Sequence, residues 1–333
     1  MTETNPVSYE QFKKKRPKWT LRFRRNIEFA FFCFFEKIGN TYSLKTLQKA
    51  GKIIGLLAFI LLKKDRGIAE KQLSLVFPEL SSEQIRQCTK DCFMHFGQGM
   101  LEFFAIEQLI HKVDQYIHVD NPEVLDQAYA EQQGVVLLAM HMGNWELIVP
   151  YLIQKGYPAK AATTNYPDER INTKLQQSRG RQNIQLIPRG ADNTIKSILE
   201  CFKNKEIFLV AIDQDTNVPS MFIPFFGRPA QTPISVSSLA LRYGSVIVSY
   251  TILRQPDGTF HLHFERYGRI PVIRSPQKSN IYQLTYKLNQ HMESLIKKNP
   301  SQWAWFHRRW RHHPKPEDLE FIAEMEHEIS QTI

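Results

Sequence analysis

The sequence is poor in cysteine. Its 333 residues include four cysteines, at positions 33, 88, 92 and 201, and their spacing matches no metal-binding motif. Cys88 and Cys92 lie four apart in a helical pattern, so they are expected to be reduced, buried thiols and not disulfide partners. A chain of this length buries enough surface to fold without covalent cross-links.

Long apolar runs are also missing. The two longest, residues 27–35 (IEFAFFCFF) and 53–62 (IIGLLAFILL), fall short of the roughly 20 residues that a membrane-spanning helix needs. No small-residue cleavage site follows a hydrophobic region, so a cleaved signal peptide is not expected. Flanking cations and aromatic residues favour an in-plane or re-entrant membrane anchor, and two buried core helices are the alternative.

Acidic residues are absent from residues 11–25, which contain eight lysines and arginines, and the net charge is +10. Such a segment suits anionic lipid headgroups or nucleic acid, and a solvated basic tail is the structural alternative. The interleaved Phe12, Trp19 and Phe23 and the apolar run that follows favour anionic membrane lipids over nucleic acid.

After the N-terminal part, short apolar runs alternate with amphipathic segments. Residues 134–140 and 207–212 have the pattern of buried strands, and residues 193–203 and 280–298 have that of helices. This alternation predicts a layered α/β domain with a largely parallel sheet, flanking helices and its active site beyond the carboxyl ends of the strands. The predicted organisation is a basic arm with membrane-anchoring helices (1–66), an α/β domain (67–314) and a charged C-terminal tail (315–333).

His141 directly follows the first buried strand, in the stretch His-Met-Gly-Asn-Trp-Glu. Gly143 permits a sharp turn, and the helical turn after it brings Glu146 back toward the imidazole. A carboxylate that accepts from one ring nitrogen holds the other as a base, which a hydroxyl attacking a thioester requires. Backbone amides at the helix start are candidates for stabilising the oxyanion.

The His-x4-acid spacing occurs four times in the chain, so spacing alone does not identify a site. Only His141 and Glu146 lie on a predicted strand-turn-helix. The other pairs, in a loop and in the charged tail, are His118/Glu123, His312/Glu317 and His313/Asp318.

Several sequence blocks resemble the bacterial late acyltransferases of lipid A biosynthesis, over about residues 53–314. The strongest is His141 to Glu146, which is similar to the His-x4-acid signature of that family and of the wider lysophospholipid acyltransferase superfamily. The other blocks, in family order, are residues 68–73 (IAEKQL), 76–80 (VFPEL), 187–189 (IPR), 213–215 (DQD), 222–227 (FIPFFG), 230–232 (AQT) and 305–310 (WFHRRW).

The resemblance implies a function and partners. A fatty acyl chain would pass from acyl carrier protein to a hydroxyl of a phosphorylated, Kdo-lipid A type glycolipid, with His141 and Glu146 as the catalytic pair. It implies no cofactor and no metal, and a location on the cytoplasmic face of a bacterial inner membrane.

Further residues are candidates for the substrate site. Arg170, Arg189 and the cluster His307, Arg308 and Arg309 are predicted to contact substrate, the cluster through its phosphates, although a surface group of rim salt bridges is the alternative for the cluster.

Two acids and three aromatic residues complete the candidate set. Asp213 and Asp215 either position the sugar, a catalytic arginine or a metal ion, or they cap the next element or pair with Arg189. The resemblance favours an acyl groove lined by Phe222, Phe225 and Phe226, whereas aromatic runs in general are more often core.

One departure from the family leaves the acceptor open. Many members carry an Arg-Pro pair where this chain has Thr164-Asn165, and Arg170 is the residue that would compensate. A related acyltransferase acting on a phospholipid, aminolipid or polyene is therefore one alternative. A non-catalytic binder that uses the basic arm is another, but it does not account for the strand-turn-helix around His141.

Overall fold

A computed structural model of the protein describes residues 18–164, 166–179, 184–188 and 194–332. A mixed α/β architecture surrounds one central sheet. The strands are β1 (Ile117–Val119), β2 (Val135–Ala139), β3 (Ala159–Thr163), β4 (Ile184–Pro188), β5 (Ile207–Ala211), β6 (Ser220–Phe225), β7 (Arg228–Pro233), β8 (Val246–Arg254) and β9 (Phe260–Arg269).

The central sheet has seven strands in the order β1-β9-β8-β2-β5-β3-β4. Neighbouring strands are parallel except β8 and β9, which form an antiparallel pair joined by a turn at Pro256-Asp257-Gly258. The remaining two strands, β6 and β7, form a separate antiparallel hairpin. The prediction of a largely parallel α/β sheet is confirmed.

Helices cover both faces of the sheet, which is why its central strands read as continuous apolar runs. Val136 and Leu138 of β2 face one buried cluster, and Val135 and Leu137 face the other. The helices are α1 (Lys18–Thr41), α2 (Leu44–Leu61), α3 (Lys63–Val76), α4 (Ser82–Phe103), α5 (Ile106–Ile110), α6 (Val113–Tyr116), α7 (Glu123–Ala130), α8 (Ile148–Lys155), α9 (Glu169–Arg179), α10 (Thr194–Lys203), α11 (Ser235–Tyr243), α12 (Lys278–Lys298) and α13 (Pro316–Thr332).

The two apolar runs of the N-terminal part lie in α1 and α2. Helix α2 packs closely on α4, because Gly51 and Gly55 face Gly97 with no space for a Cβ atom between the backbones. On the outer sides of α1 and α2, large apolar residues stay exposed. Over the described residues, no helix combines the length and the apolar character needed to cross a bilayer, so the predicted anchor remains a prediction.

The chain after residue 315 is more than a solvated tail. It forms α13, whose Ile322 and Met325 are buried against Tyr282 of α12 and Ile223 of β6. The division into segments 1–66, 67–314 and 315–333 stays a prediction. All four cysteines are free, and Cys92 is buried as expected, whereas Cys88 is only partly buried.

Candidate active site

Two adjacent parallel strands bring a histidine and an acid together. Strands β2 and β5 pair in register up to Ala139 and Ala211, and the chain reaches His141 and Asp213 by the same short step beyond them. After β2 the chain continues to β3, on one side of this strand pair, and after β5 it continues to β8, on the other side. The pair is therefore a topological switch point of the sheet. The site therefore lies at the predicted strand ends.

Asp213 holds His141 by two hydrogen bonds. Its Oδ1 is 2.8 Å from the imidazole Nδ1, and its Oδ2 accepts from the backbone N–H of His141, also at 2.8 Å. Trp303 donates its indole N–H to the same Oδ2 at 2.9 Å. Burial alone would raise the pKa of the Asp213 carboxyl, but the charge and hydrogen bonds of His141 and the Trp303 bond lower it to about 2.

This geometry fixes the tautomer of His141. An ionised carboxylate only accepts, so Nδ1 carries the proton and donates it to Asp213. In the neutral ring, Nε2 then holds the lone pair that a general base needs. From the sequence, Glu146 was expected to orient the ring. At Nδ1 the orienting carboxylate is Asp213, for which the sequence left open a substrate role and a structural one.

The turn after His141 is fixed by its backbone. Gly143 has a φ of +62°, and a Cβ there would collide with the carbonyl oxygen of Ile252. Ala304 donates to the carbonyl of His141 at 3.1 Å, and Gly143 donates to the carbonyl of Gln302 at 2.8 Å. The segment 302–304, just before the block 305–310, thus packs against the turn after His141.

A buried polar network supports the same turn from α4. His95 donates from Nε2 to the carbonyl of Gly143 at 3.0 Å, and burial lowers the pKa of this histidine to about 3. Glu102, fully buried, forms an ion pair with Arg254 and accepts from Asn144 Nδ2 at 2.7 Å. Gln48 of α2 donates to the same carboxylate at 2.8 Å, which links α2 to the turn after His141.

Glu146 lies in the short 3-10 turn Trp145–Leu147 that precedes α8. It borders two cavities together with His141, so the structure brings the predicted pair to one site. Its charge also affects Tyr250. The pKa of Tyr250 is raised well above the ordinary value, mainly by burial and further by the charges of Glu146 and Asp213.

The two cavities differ in lining. The first, here the strand-end cavity, has a volume of about 290 Å³, and its lining mixes small apolar residues with Thr163, Thr164, Gln214 and Thr216. The second, here the α4 cleft, has a volume of about 500 Å³ and is lined by α4, the turn after His141 and the segment 304–306, with His95 and Asn144 among apolar side chains. Both cavities are bordered by His141, Trp145, Glu146 and Gln214.

The three residues of the predicted phosphate-binding cluster, His307, Arg308 and Arg309, lie in different environments. Arg309 is fully buried, donating to the carbonyl of Gln231 at 2.7 Å and to Thr232 Oγ1 at 2.6 Å. Its guanidinium also lies 4.7 Å from the centre of the Phe225 ring. These contacts favour a structural role for Arg309 at the β6–β7 hairpin, and its phosphate role stays a prediction.

The neighbours of Arg309 differ from it. His307 accepts the backbone N–H of Asp215 at Nε2, 3.2 Å away, and burial lowers its pKa, which disfavours a cationic phosphate contact. Arg308 is exposed on the surface. Asp215 is buried and accepts from Arg311 and from His312, so its position fits the structural alternative.

The remaining predicted contacts lie elsewhere. Arg170 forms a salt bridge with Asp168, at 2.7 Å, and stacks over Phe29 of α1 with 4.4 Å between its guanidinium carbon and the ring centre. It borders a third cleft, of about 560 Å³, with Arg22 and Arg25. Arg189 lies outside the described residues.

The predicted acyl groove does not form at His141. Phe225 is completely buried against Trp303, and Phe226 packs against Phe77 and Trp305. Phe222 borders a different cavity, near α13. Within the described chain, neither cavity beside His141 is lined by any of the three. Aromatic residues that sequence reasoning missed, above all Phe96 and Phe306, occupy that position.

Comparison with known proteins decides the family. The family model described as bacterial lipid A biosynthesis acyltransferase matches residues 15–312. The chain belongs to this family. The match starts well before Ile53, where the resemblance was expected to begin, and so includes α1. Members are O-acyltransferases, and the protein is therefore an enzyme that transfers an acyl group to a lipid acceptor.

Individual relatives are distant. The lipid A biosynthesis lauroyltransferase of Escherichia coli is 24% identical over 274 residues, covering 81% of this chain and 86% of the relative. The lipid A biosynthesis palmitoleoyltransferase of the same organism is 26% identical over 283 residues, covering 82% and 87%. A phosphatidylinositol mannoside acyltransferase of Mycobacterium tuberculosis is 20% identical over 225 residues, covering 65% and 67%.

Proposed function

We propose that the enzyme transfers a fatty acyl chain from acyl carrier protein to a hydroxyl of a phosphorylated lipid A precursor of the Kdo-lipid A type. The observation that carries the proposal is the His141–Asp213 hydrogen bond at the end of two parallel strands. It leaves Nε2 as a base at the junction of two cavities, in a chain of the lipid A acyltransferase family.

In the proposed mechanism, Nε2 of His141 takes the proton of the acceptor hydroxyl as its oxygen attacks the thioester carbonyl. The tetrahedral intermediate then collapses, the carbon–sulfur bond breaks, and the imidazolium returns its proton to the departing thiolate. Asp213 stabilises the imidazolium through Nδ1, as the orienting acid does in other base-assisted acyl transfers. No covalent acyl-enzyme is required.

Glu146 has a different place in this mechanism from the one the sequence suggested. It borders both cavities beside the imidazole. We propose that its negative charge favours the imidazolium as it forms and orients the acceptor hydroxyl toward Nε2. The opening amides of the turn at Trp145 are the proposed donors to the oxyanion.

Membrane attachment is proposed through the outer faces of α1 and α2. Each carries an exposed apolar stripe at helical spacing, next to the basic N-terminal segment. Such a combination suits the anionic cytoplasmic face of the bacterial inner membrane. The stripes consist of Phe23, Ile27, Phe31 and Phe34 in α1, and of Ile53, Leu57, Ile60 and Leu61 in α2.

Charge supports the proposed partners. A net charge of +10 suits both an acidic carrier protein and a phosphorylated lipid. Arg170 remains a proposed phosphate contact, now together with Arg22 and Arg25 in the cleft that they share beside α1.

A second acceptor class stays open. Thr164, in place of the family's Arg-Pro pair, borders the strand-end cavity, and one relative is named for a phosphatidylinositol mannoside. Another lipid acceptor, such as a phospholipid or glycosylated phospholipid, is therefore the alternative.

The test is a transfer assay with purified enzyme in detergent or vesicles. Acyl carrier protein charged with a radiolabelled chain is offered with a Kdo-lipid A precursor or with phosphatidylinositol-based lipids, and products are analysed by mass spectrometry. The proposal expects acylation of the lipid A precursor. Acylation of the phosphatidylinositol-based lipid alone supports the second class, and no transfer to any lipid contradicts both.

A further inference from the structure

Gln214 borders both of the cavities that meet beside His141. It shares this position with His141, Trp145 and Glu146. Acyl transfer joins an atom of the donor to an atom of the acceptor, so the reacting atoms come together where the spaces for the two substrates join. Whichever cavity takes the donor, the side chain of Gln214 lies at this junction.

The backbone on either side of Gln214 is held in place. Asp213, before it, bonds to both the backbone N–H and the ring of His141. After it, the backbone N–H of Asp215 donates to Nε2 of His307 at 3.2 Å. The Gln214 side chain therefore starts from a fixed position relative to His141, which is what stabilisation of a transition state by a preorganised group requires.

The amide of Gln214 has no hydrogen-bond partner in the part of the chain that the structure describes. The residue is half-buried, so a molecule in the cavities can reach it. A primary amide offers two N–H donors and one carbonyl acceptor. A polar group that is positioned beside a base and left unpaired by the fold is available to a substrate.

The chemistry of the junction favours a donor role for this amide. Nε2 of His141 is the proposed base, and an ionised Glu146 accepts hydrogen bonds and repels a negative oxygen. Trp145 also has a side-chain donor, its indole N–H. The ring of Trp145, however, is packed between His141 and Phe96. Gln214 thus carries the uncharged donor at the junction that no packed ring restrains.

We propose that the side-chain amide of Gln214 donates a hydrogen bond to the oxyanion of the tetrahedral intermediate, alongside the backbone amides at Trp145. The inference rests on the proposed function. As the acceptor oxygen bonds to the thioester carbon, the π electrons of the C=O bond move to its oxygen, and Nε2 of His141 takes the hydroxyl proton. When these electrons return, the carbon–sulfur bond breaks and the thiolate takes the proton. The amide binds the negative oxygen more tightly than the neutral carbonyl, so it raises kcat more than substrate affinity.

Gln231 provides a matched control. It is also half-buried, borders a cavity and has an amide that makes no hydrogen bond within the described chain. Its cavity is the one near α13, and His141 does not line it. Methionine is flexible and unbranched like glutamine but has no N–H donor. Gln214→Met and Gln231→Met therefore remove the same group from two separate cavities.

Steady-state kinetics with charged acyl carrier protein give kcat and the KM values of donor and acceptor. Gln214→Met is expected to lower kcat by about 100- to 1,000-fold, as loss of one oxyanion donor does, with both KM values close to those of the wild type. Gln231→Met is expected to keep the wild-type kcat. An unchanged kcat in Gln214→Met overturns the inference. A raised acceptor KM with an unchanged kcat assigns the amide to acceptor binding and overturns it equally.

A second variant, Gln214→Glu, tests the donor if Gln214→Met does not fold, as judged by circular dichroism. It keeps the length of the side chain and a carbonyl-type acceptor, and it replaces the N–H donors by a negative charge. Repulsion of the oxyanion is expected to lower kcat at least as far as in Gln214→Met. A kcat close to the wild type would mean that the amide of Gln214 acts as an acceptor, which overturns the inference.

The identity of the accepting lipid separates this inference from the proposed function. The ratio of kcat between Gln214→Met and the wild type is measured with whichever lipid the wild type acylates. Acylation of the phosphatidylinositol-based lipid alone contradicts the proposed acceptor, and a lowered ratio with that lipid still supports the inference. An equal kcat with the lipid A precursor contradicts the inference alone. No transfer to any lipid contradicts both.

Discussion

Asp213 lies 2.8 Å from Nδ1 of His141, across two neighbouring parallel strands. The carboxylate also accepts the backbone N–H of His141, so it fixes both the position of the residue and the proton on its ring. An acid in this position holds the imidazole in one tautomer and stabilises the imidazolium that forms during acyl transfer. The first prediction concerns this carboxylate.

Replacing Asp213 by Asn is expected to lower kcat by about 100- to 10,000-fold, the usual range for disturbed general-base catalysis. An amide can donate to Nδ1, which would place the ring proton on Nε2 and remove the base. Steady-state kinetics with charged acyl carrier protein measure the effect, and circular dichroism checks the fold.

Asp215→Asn is the matched control, because Asp215 is also buried but bonds to Arg311 and His312. Its kcat is expected to stay much closer to the wild type. Equal losses in the two variants would mean that Asp213 acts only through stability.

The second prediction concerns acid stability through His95. Burial lowers its pKa to about 3 in the folded protein, against an ordinary value of 6.5. Between these values the unfolded chain binds more protons, so the free energy of unfolding rises with pH and stability is lost on acidification. The slope from this one group is at most about 1.4 kcal/mol per pH unit.

His95→Gln keeps a donor for the carbonyl of Gly143 and removes the titration. Urea unfolding between about pH 6.5 and about pH 5 is expected to show a shallower loss of stability than in the wild type. His118→Gln, at an exposed position, serves as the control. The same slope in the wild type and in His95→Gln would contradict the assignment.

The third prediction concerns the buried Glu102–Arg254 pair. Replacing Arg254 by Met leaves a buried carboxylate without its cation, which is expected to cost about 3–5 kcal/mol of folding free energy. The additional change Glu102→Gln is expected to recover part of this loss. Denaturant unfolding of the single and double variants gives the coupling.

Arg24→Met is the contrast, because the Arg24–Glu28 pair is on the surface of α1. A change of less than about 1 kcal/mol is expected there. If Arg254→Met lost no more folding free energy than Arg24→Met, water would have to reach Glu102, and the buried pair would not have the proposed effect.

The fourth prediction tests whether Phe225 belongs to the hydrophobic core or to an acyl groove. Phe225→Ala removes a fully buried ring and is expected to destabilise the protein by about 3–5 kcal/mol. Transfer by the folded fraction is expected to keep the wild-type chain-length ratio, because Phe225 borders neither of the two cavities beside His141. A shifted ratio would restore the groove predicted from the sequence.

Local patterns in the sequence were sufficient to predict strand β2, the turn at Gly143 and the position of His141 between them. The partner of His141 could not be predicted from local patterns. Asp213 is adjacent to His141 only because β5 lies beside β2, and strand order is a non-local property. Asp213 does follow a buried strand directly, and the rule that strand ends meet at one edge would have brought it to the site.

The environments of Arg309 and of the aromatic block 222–226 could not be predicted from the sequence either. An arginine next to tryptophans has the same local sequence whether it binds phosphate or closes a hairpin. The distinction depends on where β6 and β7 pack. The spacing of apolar residues in α4 is a local pattern, but their position beside His141 depends on where the segment 304–306 packs.

The most direct test is the acyl-transfer rate of His141→Ala, measured on protein shown to be folded and bound to vesicles like the wild type. We expect the rate to fall at least as far as in Asp213→Asn, by about 1,000-fold or more, with donor and acceptor binding largely retained. Transfer at the wild-type rate would contradict the account.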